Sequence, residues 1–328
     1  MKKLRTAVCL IIIVACLPGI LISARRLPAD THGLTAKKYA GWSGVLRIWA
    51  FEGWTGGDKT AAWMNCCAAS FEKSHPGVYV QVIYAGEEAV RLLSRTGVRA
   101  PDAVVFPPGL MDSPDGLAPL SGLPVRESLR SCGQGYAAPV ALGGYMWAVN
   151  EGAEGIAVPA AEAWRSWPRA AEALGNPDAV IEEIEIVPPG IDLGLPASAG
   201  QDSPMDRFIA GQLGAVPVTQ RELARLERLR DQGRGPEWTL RPGAQPWTDQ
   251  VLYMAATAQG GERQVLAQEL IAYLLTEECQ SALSQVGLFT ALDAPTGYAP
   301  GSGMEMMDLT LLREGLKTSG AFNAIHEP

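Results

Sequence analysis

Apolar and polar residues alternate along Val45-Leu-Arg-Ile-Trp-Ala50, shift to helical spacing from Thr60 to Lys73, and alternate again in Val78-Tyr-Val-Gln-Val-Ile83. The pattern predicts a strand, a helix and a second strand, with Pro76-Gly77 stopping the helix, and so a β-α-β unit. Glu87 to Thr96 predicts a short helix, and Pro101 to Phe106 a third strand closed by Pro107-Pro108-Gly109. A long apolar passage runs from Gly135 to Asn150. An amphipathic helix is predicted from Pro159 to Leu174, a strand from Val180 to Val187, and a long Gly-, Pro- and Ser-rich loop from Pro188 to Pro204. Thr219 with Glu222 fits a capping box for a helix running to Leu229. Trp238-Thr-Leu-Arg and Thr248 to Thr257 read as segments that return the chain to the first half, and helices are expected between Gly260 and Gly287.

Composition adds scale. With 328 residues, 47% hydrophobic and 19% charged, the chain can bury one large core or two ordinary ones, and two lobes are expected. Residues 1–24 stand apart: Lys2, Lys3 and Arg5 precede an apolar run from Ala7 to Ile22, and Ser23-Ala24 offers small residues for cleavage. Three readings stand side by side: a lipobox at Ile13-Val-Ala-Cys16 with Cys16 as the candidate lipidation site, a cut after Ala24, or an uncleaved anchor. All three put the remainder outside the cytoplasmic membrane, attached to it or secreted. The formal charge of −8 becomes −11 without those three basic residues, which argues against nucleic acid as a partner.

The remaining cysteines, Cys66, Cys67, Cys132 and Cys279, lack metal-ligand spacing. Adjacent residues in a helix point about 100° apart, so at most one of Cys66 and Cys67 can face a core. Buried thiols and a disulfide from one of them to Cys132 or Cys279 are both open. His32, His75 and His326 fall in three unrelated segments, so neither a Ser-His-Asp set nor a zinc set is expected. A carboxylate-pair hydrolase built on Glu52, Asp58, Glu87 and Asp102 is the one enzymatic alternative.

Trp49, Trp63, Phe71, Glu72, His75, Pro76, Gly77 and Val78, in this order, resemble the opening of the extracellular solute-binding proteins of ABC importers, family 1, the maltose-binding-protein-like sugar receptors. Gly135 to Asn150 resembles the strand by which that family crosses between lobes, and Phe208 to Glu222 and Glu262 to Gly287 resemble later parts of it. The resemblance spans about 240 residues, Val45 to Asp293. It implies an α/β, two-lobed, periplasmic-binding-protein-like fold with hinge-crossing strands and a shortened second lobe. Residues 1–24 would be the signal peptide or anchor and 25–44 a tether. Lobe 1 would hold 45–140 and 248–290, and lobe 2 141–247 and 291–328. The implied protein is a monomeric receptor, not an enzyme, needing no cofactor or metal. It would capture a small solute, a carbohydrate, and deliver it to ABC permease subunits. A sensor that has lost transport and a ligandless surface protein are the alternatives.

A sugar offers an apolar C–H face and a rim of hydroxyls, so its site needs a flat aromatic and groups that accept paired hydrogen bonds. Loops after strands of an open α/β sheet are where such groups gather. Glu52 and Trp54 follow the first strand, Glu87 the second, and Phe106 ends the third. Tyr145 stands near the crossing, Thr219, Gln220 and Arg221 where relatives contact ligand from the far lobe, and Trp247 in a Pro-Trp-Thr loop. Gly143-Gly144 occupies a position where some relatives carry a sugar-gripping carboxylate.

Overall fold

The computed structural model describes residues 42–51, 57–86, 100–151, 204–211, 214–242, 247–248, 250–313, 316–318 and 320–322. The predicted helices at 87–96 and 159–174, the strand at 180–187, nearly all of the loop at 188–204, and Cys16 lie outside those residues.

Strand β1 (Gly44–Phe51) buries Leu46, Ile48 and Ala50 on alternate positions, as its period-two pattern requires. Helix α1 (Gly57–Ser74) follows and buries Trp63, Met64, Cys67, Ala68 and Phe71, which share one face at helical spacing. It stops where Gly77 takes a positive φ of 92°, a conformation that favours glycine. Beside that stop His75 stacks on Phe71 with ring centroids 3.9 Å apart. The chain then enters β2 (Val78–Ala85), parallel to β1.

Strand β3 (Ala103–Phe106) is buried along its whole length because it lies between β1 and β9 (Val251–Ala256). A strand covered on both faces reads as an uninterrupted apolar run. With β4 (Ala138–Leu142) the sheet has the order β2-β1-β3-β9-β4, and only β9 runs antiparallel to its neighbours. Asp102, 2% exposed, anchors the start of β3, accepting from the Arg47 amide at 2.7 Å and from Arg263 at 2.8 Å. Helix α2 (Glu127–Arg130) lies between β3 and β4 in sequence.

A second sheet has the order β6-β5-β7, all antiparallel, made of β5 (Tyr145–Asn150), β6 (Ala215–Thr219) and β7 (Trp238–Arg241). Helix α3 (Pro204–Ile209) precedes β6, and α4 (Gln220–Asp231) follows it directly. Two details differ from the sequence reading. The apolar passage from Gly135 is two strands in different sheets, because Gly143-Gly144 interrupts it. Trp238–Arg241 stays in the second sheet, where it pairs with Trp147 to Asn150, and does not return to the first.

The return is made by the short β8 (Trp247–Thr248) and by β9. Helix α5 (Gly261–Leu274) packs against β9 and α1, with Tyr273 edge-on to Phe71 at 5.6 Å. Helix α6 (Glu277–Ser281) and a 3-10 turn (Ala282–Val286) follow. Helix α7 (Gly303–Leu311) packs against α4 of the second half, and β10 (Lys317–Thr318) pairs with β8.

Candidate functional site

The first three strands are parallel, so Phe51, Ala85 and Phe106 end at one edge of the five-stranded sheet. β9 begins and β4 ends at that same edge, since Leu142 pairs with Val251. The chain therefore leaves for the second sheet at Gly143-Gly144 and comes back through Thr248 to Val251 where the loops of the parallel strands also emerge. In an open α/β sheet this is the edge that receives ligands.

The two crossings are bonded to each other. The Gly143 amide donates to Gln250 O at 2.6 Å, and Thr248 Oγ1 donates to Gly143 O at 2.8 Å. Gly144 N donates to Gln220 Oε1 at 3.1 Å, Gln220 Nε2 to Gln250 Oε1 at 3.2 Å, and Gln250 Nε2 to Tyr145 Oη at 2.6 Å. Thr248, Gln220, Tyr145 and Gln250 are all buried. A side-chain network in such a place holds because each member is satisfied. Glycine is required at 143: an added Cβ would lie 2.5 Å from Gln250 Oε1 and 2.6 Å from Gln220 Nε2.

Local sequence sets Gln220 in place. Thr219 caps α4, its hydroxyl accepting from Glu222 N while Glu222 accepts from Thr219 N at 2.7 Å. Gln220 is then the first residue of the helix, directed at the crossing. Burial raises the pKa of Glu222, and its hydrogen bonds from Thr219 oppose the rise.

The C-terminal helix closes the junction from a third side. A Cβ on Gly144 would approach Met307 Cγ at 2.9 Å and Leu311 Cδ1 at 3.1 Å. Buried Arg126 donates to the carbonyl oxygens of Leu311 and Thr290, which ties the segment before α2 to the end of α7. Asp308 accepts from Thr296 N at 2.6 Å and from its hydroxyl at 3.1 Å. Burial raises the Asp308 pKa, against the pull of those bonds and of Arg126.

Solved structures with the same arrangement exist at low sequence identity. The GacH receptor of Streptomyces glaucescens GLA.O, known unliganded and with acarbose, is 15% identical with a TM-score of 0.52, covering 84% of this chain and 88% of its own. The maltodextrin-binding protein MalE1 of L. casei BL23 is 13% identical with a TM-score of 0.57, covering 86% and 89%. The fold is that of the two-lobed, periplasmic-binding-protein-like solute receptors. Iron-bound HitA of Pseudomonas aeruginosa shares this receptor fold at 19% identity, with a TM-score of 0.50 and coverage of 80% and 92%. The sequence matches no family model and no curated protein sequence.

Within this receptor fold the sequence-selected residues fall into four groups. Tyr145 and Thr219 pair across β5 and β6 at the junction, joined there by Gln220, and the Trp247 backbone lies in β8 beside Thr248. Phe106 is fully buried, with its ring 6.1 Å from Tyr253 and 6.0 Å from Phe322, so it is core and has no surface to offer a solute. Arg221 is exposed on α4. Glu52, Trp54 and Glu87 lie outside the described residues, and the strands that precede them end at the junction edge. Gln250, Thr248 and Arg126 carry no mark in the sequence.

Proposed function

We propose that this chain is an extracytoplasmic receptor that captures a small polyhydroxylated solute, a carbohydrate, between its two halves and delivers it to an ABC permease. The observation that carries this reading is the paired crossing at Gly143-Gly144 and Thr248-Gln250, at the edge where three parallel strands end. Two bodies joined at adjacent crossings can turn about them, and a ligand touching both favours the closed arrangement. The proposed ligand contacts are Trp54 as the stacking platform, Glu52 and Glu87 as hydroxyl acceptors, and Thr219, Arg221 and Trp247 from the other side. Tyr145 and Gln220 act from behind this surface, through the junction network. A receptor named for maltodextrin and one solved in complex with acarbose share the fold, which supports a sugar, and the N-terminal segment at 1–24 supports export. Among the described residues no helix is long and apolar enough to cross a membrane.

A second reading, capture of a chelated metal, draws on the likeness to iron-bound HitA. Among the described residues no group of three metal-ligating side chains is gathered.

Thermal-shift titration of the purified chain against maltodextrins, amino acids, polyamines and ferric citrate tests both. A saturable rise following RT ln(1 + [L]/Kd) is expected for one sugar class. Trp54→Ala should abolish it. A response to ferric citrate alone would transfer the reading to metal, and silence across the panel would leave the fold without this function.

A further inference from the structure

We propose that Cys67 and Cys279 are the two halves of an intramolecular disulfide that staples α1 to α6. Neither residue is among the proposed ligand contacts, and the proposal stands whatever solute is bound. Both side chains are nearly inaccessible, at 4% and 3% exposure, and both belong to the main core. Trp63 Nε1 donates to Cys279 O at 2.8 Å, which holds the backbone of residue 279 against α1. Cys67 is four residues beyond Trp63, one helical turn further along the same face. Each thiol is the largest influence on the titration of the other, in keeping with side chains that share one patch of the core.

The other body cysteines are engaged elsewhere. Cys66 is exposed, on a different side of the helix. Cys132 lies 2.7 Å from Thr318 Oγ1 and donates to Ser128 O at 3.7 Å. The neighbouring Cys67 lowers the pKa of Cys279, whereas Cys279 and burial raise that of Cys67. Of the two, Cys279 is the more readily ionised once α1 has docked.

The oxidant is a small-molecule disulfide of the glutathione class. The Cys279 thiolate attacks one of its sulfurs, forming a mixed disulfide and releasing one small thiolate. The Cys67 thiolate then attacks Cys279 Sγ and releases the second. Two protein thiols lose two electrons and two protons, and one small disulfide becomes two small thiols. Because both sulfurs are buried in the folded chain, exchange takes place as α1 docks during folding.

The full chain, refolded from the reduced, denatured state in oxidised and reduced glutathione, would be alkylated under denaturing conditions and mapped by mass spectrometry. The expected result is a linked peptide pair containing Cys67 and Cys279, two hydrogens lighter than the separate peptides, present also in Cys66→Ser and Cys132→Ser. Its melting midpoint should exceed that of the reduced chain by roughly 5 °C or more, because the bond closes most of the chain into one loop. Alkylation of both Cys67 and Cys279 after oxidation, or a linkage through Cys66 or Cys132, overturns the proposal. The map of the unsubstituted chain decides the matter even if a variant fails to fold.

Discussion

The side-chain amides of Gln220 and Gln250 meet at 3.2 Å, one from the start of a helix in the second half and the other from the segment returning to the first. Their remaining polar atoms reach Gly144 N and the Tyr145 hydroxyl, so one hydrogen-bonded path runs through both crossings. Gln220→Leu would remove the acceptor of Gly144 N and the bond from Gln220 Nε2 to Gln250 Oε1, both away from water. A loss of about 2 kcal/mol or more is expected in urea denaturation. The double variant with Gln250→Leu should lose less than the sum of the two single changes, by about 1 kcal/mol, because the two residues share one interaction. Strict additivity would show that the path does not couple the crossings.

The two glycines at the first crossing differ in what they can tolerate. A Cβ at 143 meets Gln250 Cβ at 2.8 Å as well as both amides, whereas one at 144 meets the flexible ends of Met307 and Leu311. Gly143→Ala is therefore expected to destabilise by about 2 kcal/mol and Gly144→Ala by less. Denaturation midpoints of the two variants, compared side by side, check the order.

Gln280 uses every hydrogen-bonding position of its side chain. Nε2 donates to Val140 O and Leu274 O, each at 2.8 Å, and Oε1 accepts from Thr290 Oγ1 and Ala291 N, each at 2.9 Å. The residue is 1% exposed, so Gln280→Leu takes a partner from four groups away from water, of which the Thr290 hydroxyl still accepts from Leu292 N. A cost of about 3 kcal/mol or more is expected. A variant as stable as the parent in chemical denaturation would mean that those groups find other partners.

Glu222 makes stability depend on pH. Burial raises its pKa in the folded chain above the unfolded value. Between those two values the folded chain holds more protons, so its stability falls as pH rises through the ordinary carboxylate range towards the folded pKa. Glu222→Gln keeps an acceptor for Thr219 N and removes the charge. The variant should show a shallower decline over that window when stability is measured from acidic to neutral pH, and an unchanged slope would assign the decline to other groups.

Features set by neighbours along the chain were legible in advance. The capping box needs only Thr219 and Glu222 three residues apart, and it is present. The opposed positions of Cys66 and Cys67 follow from helical rotation, and one is exposed while the other is buried. Phe106 was misjudged because a residue ending a strand and preceding Pro107 resembles a loop position. Its pairing with Tyr253, 147 positions later, encloses it, and that pairing leaves no trace near residue 106.

By itself the sequence determined the β-α-β opening, the helix stop at Pro76-Gly77 and the α4 cap, since each depends on periodicity or on contacts within a few residues. Only the tertiary structure decided that Leu142 and Tyr145 belong to different sheets, that β7 stays with the second, and that Gln220, Gln250 and Tyr145 meet. Those outcomes depend on which distant strands pair and on which polar groups must find partners once water is excluded, and neither is set by local pattern.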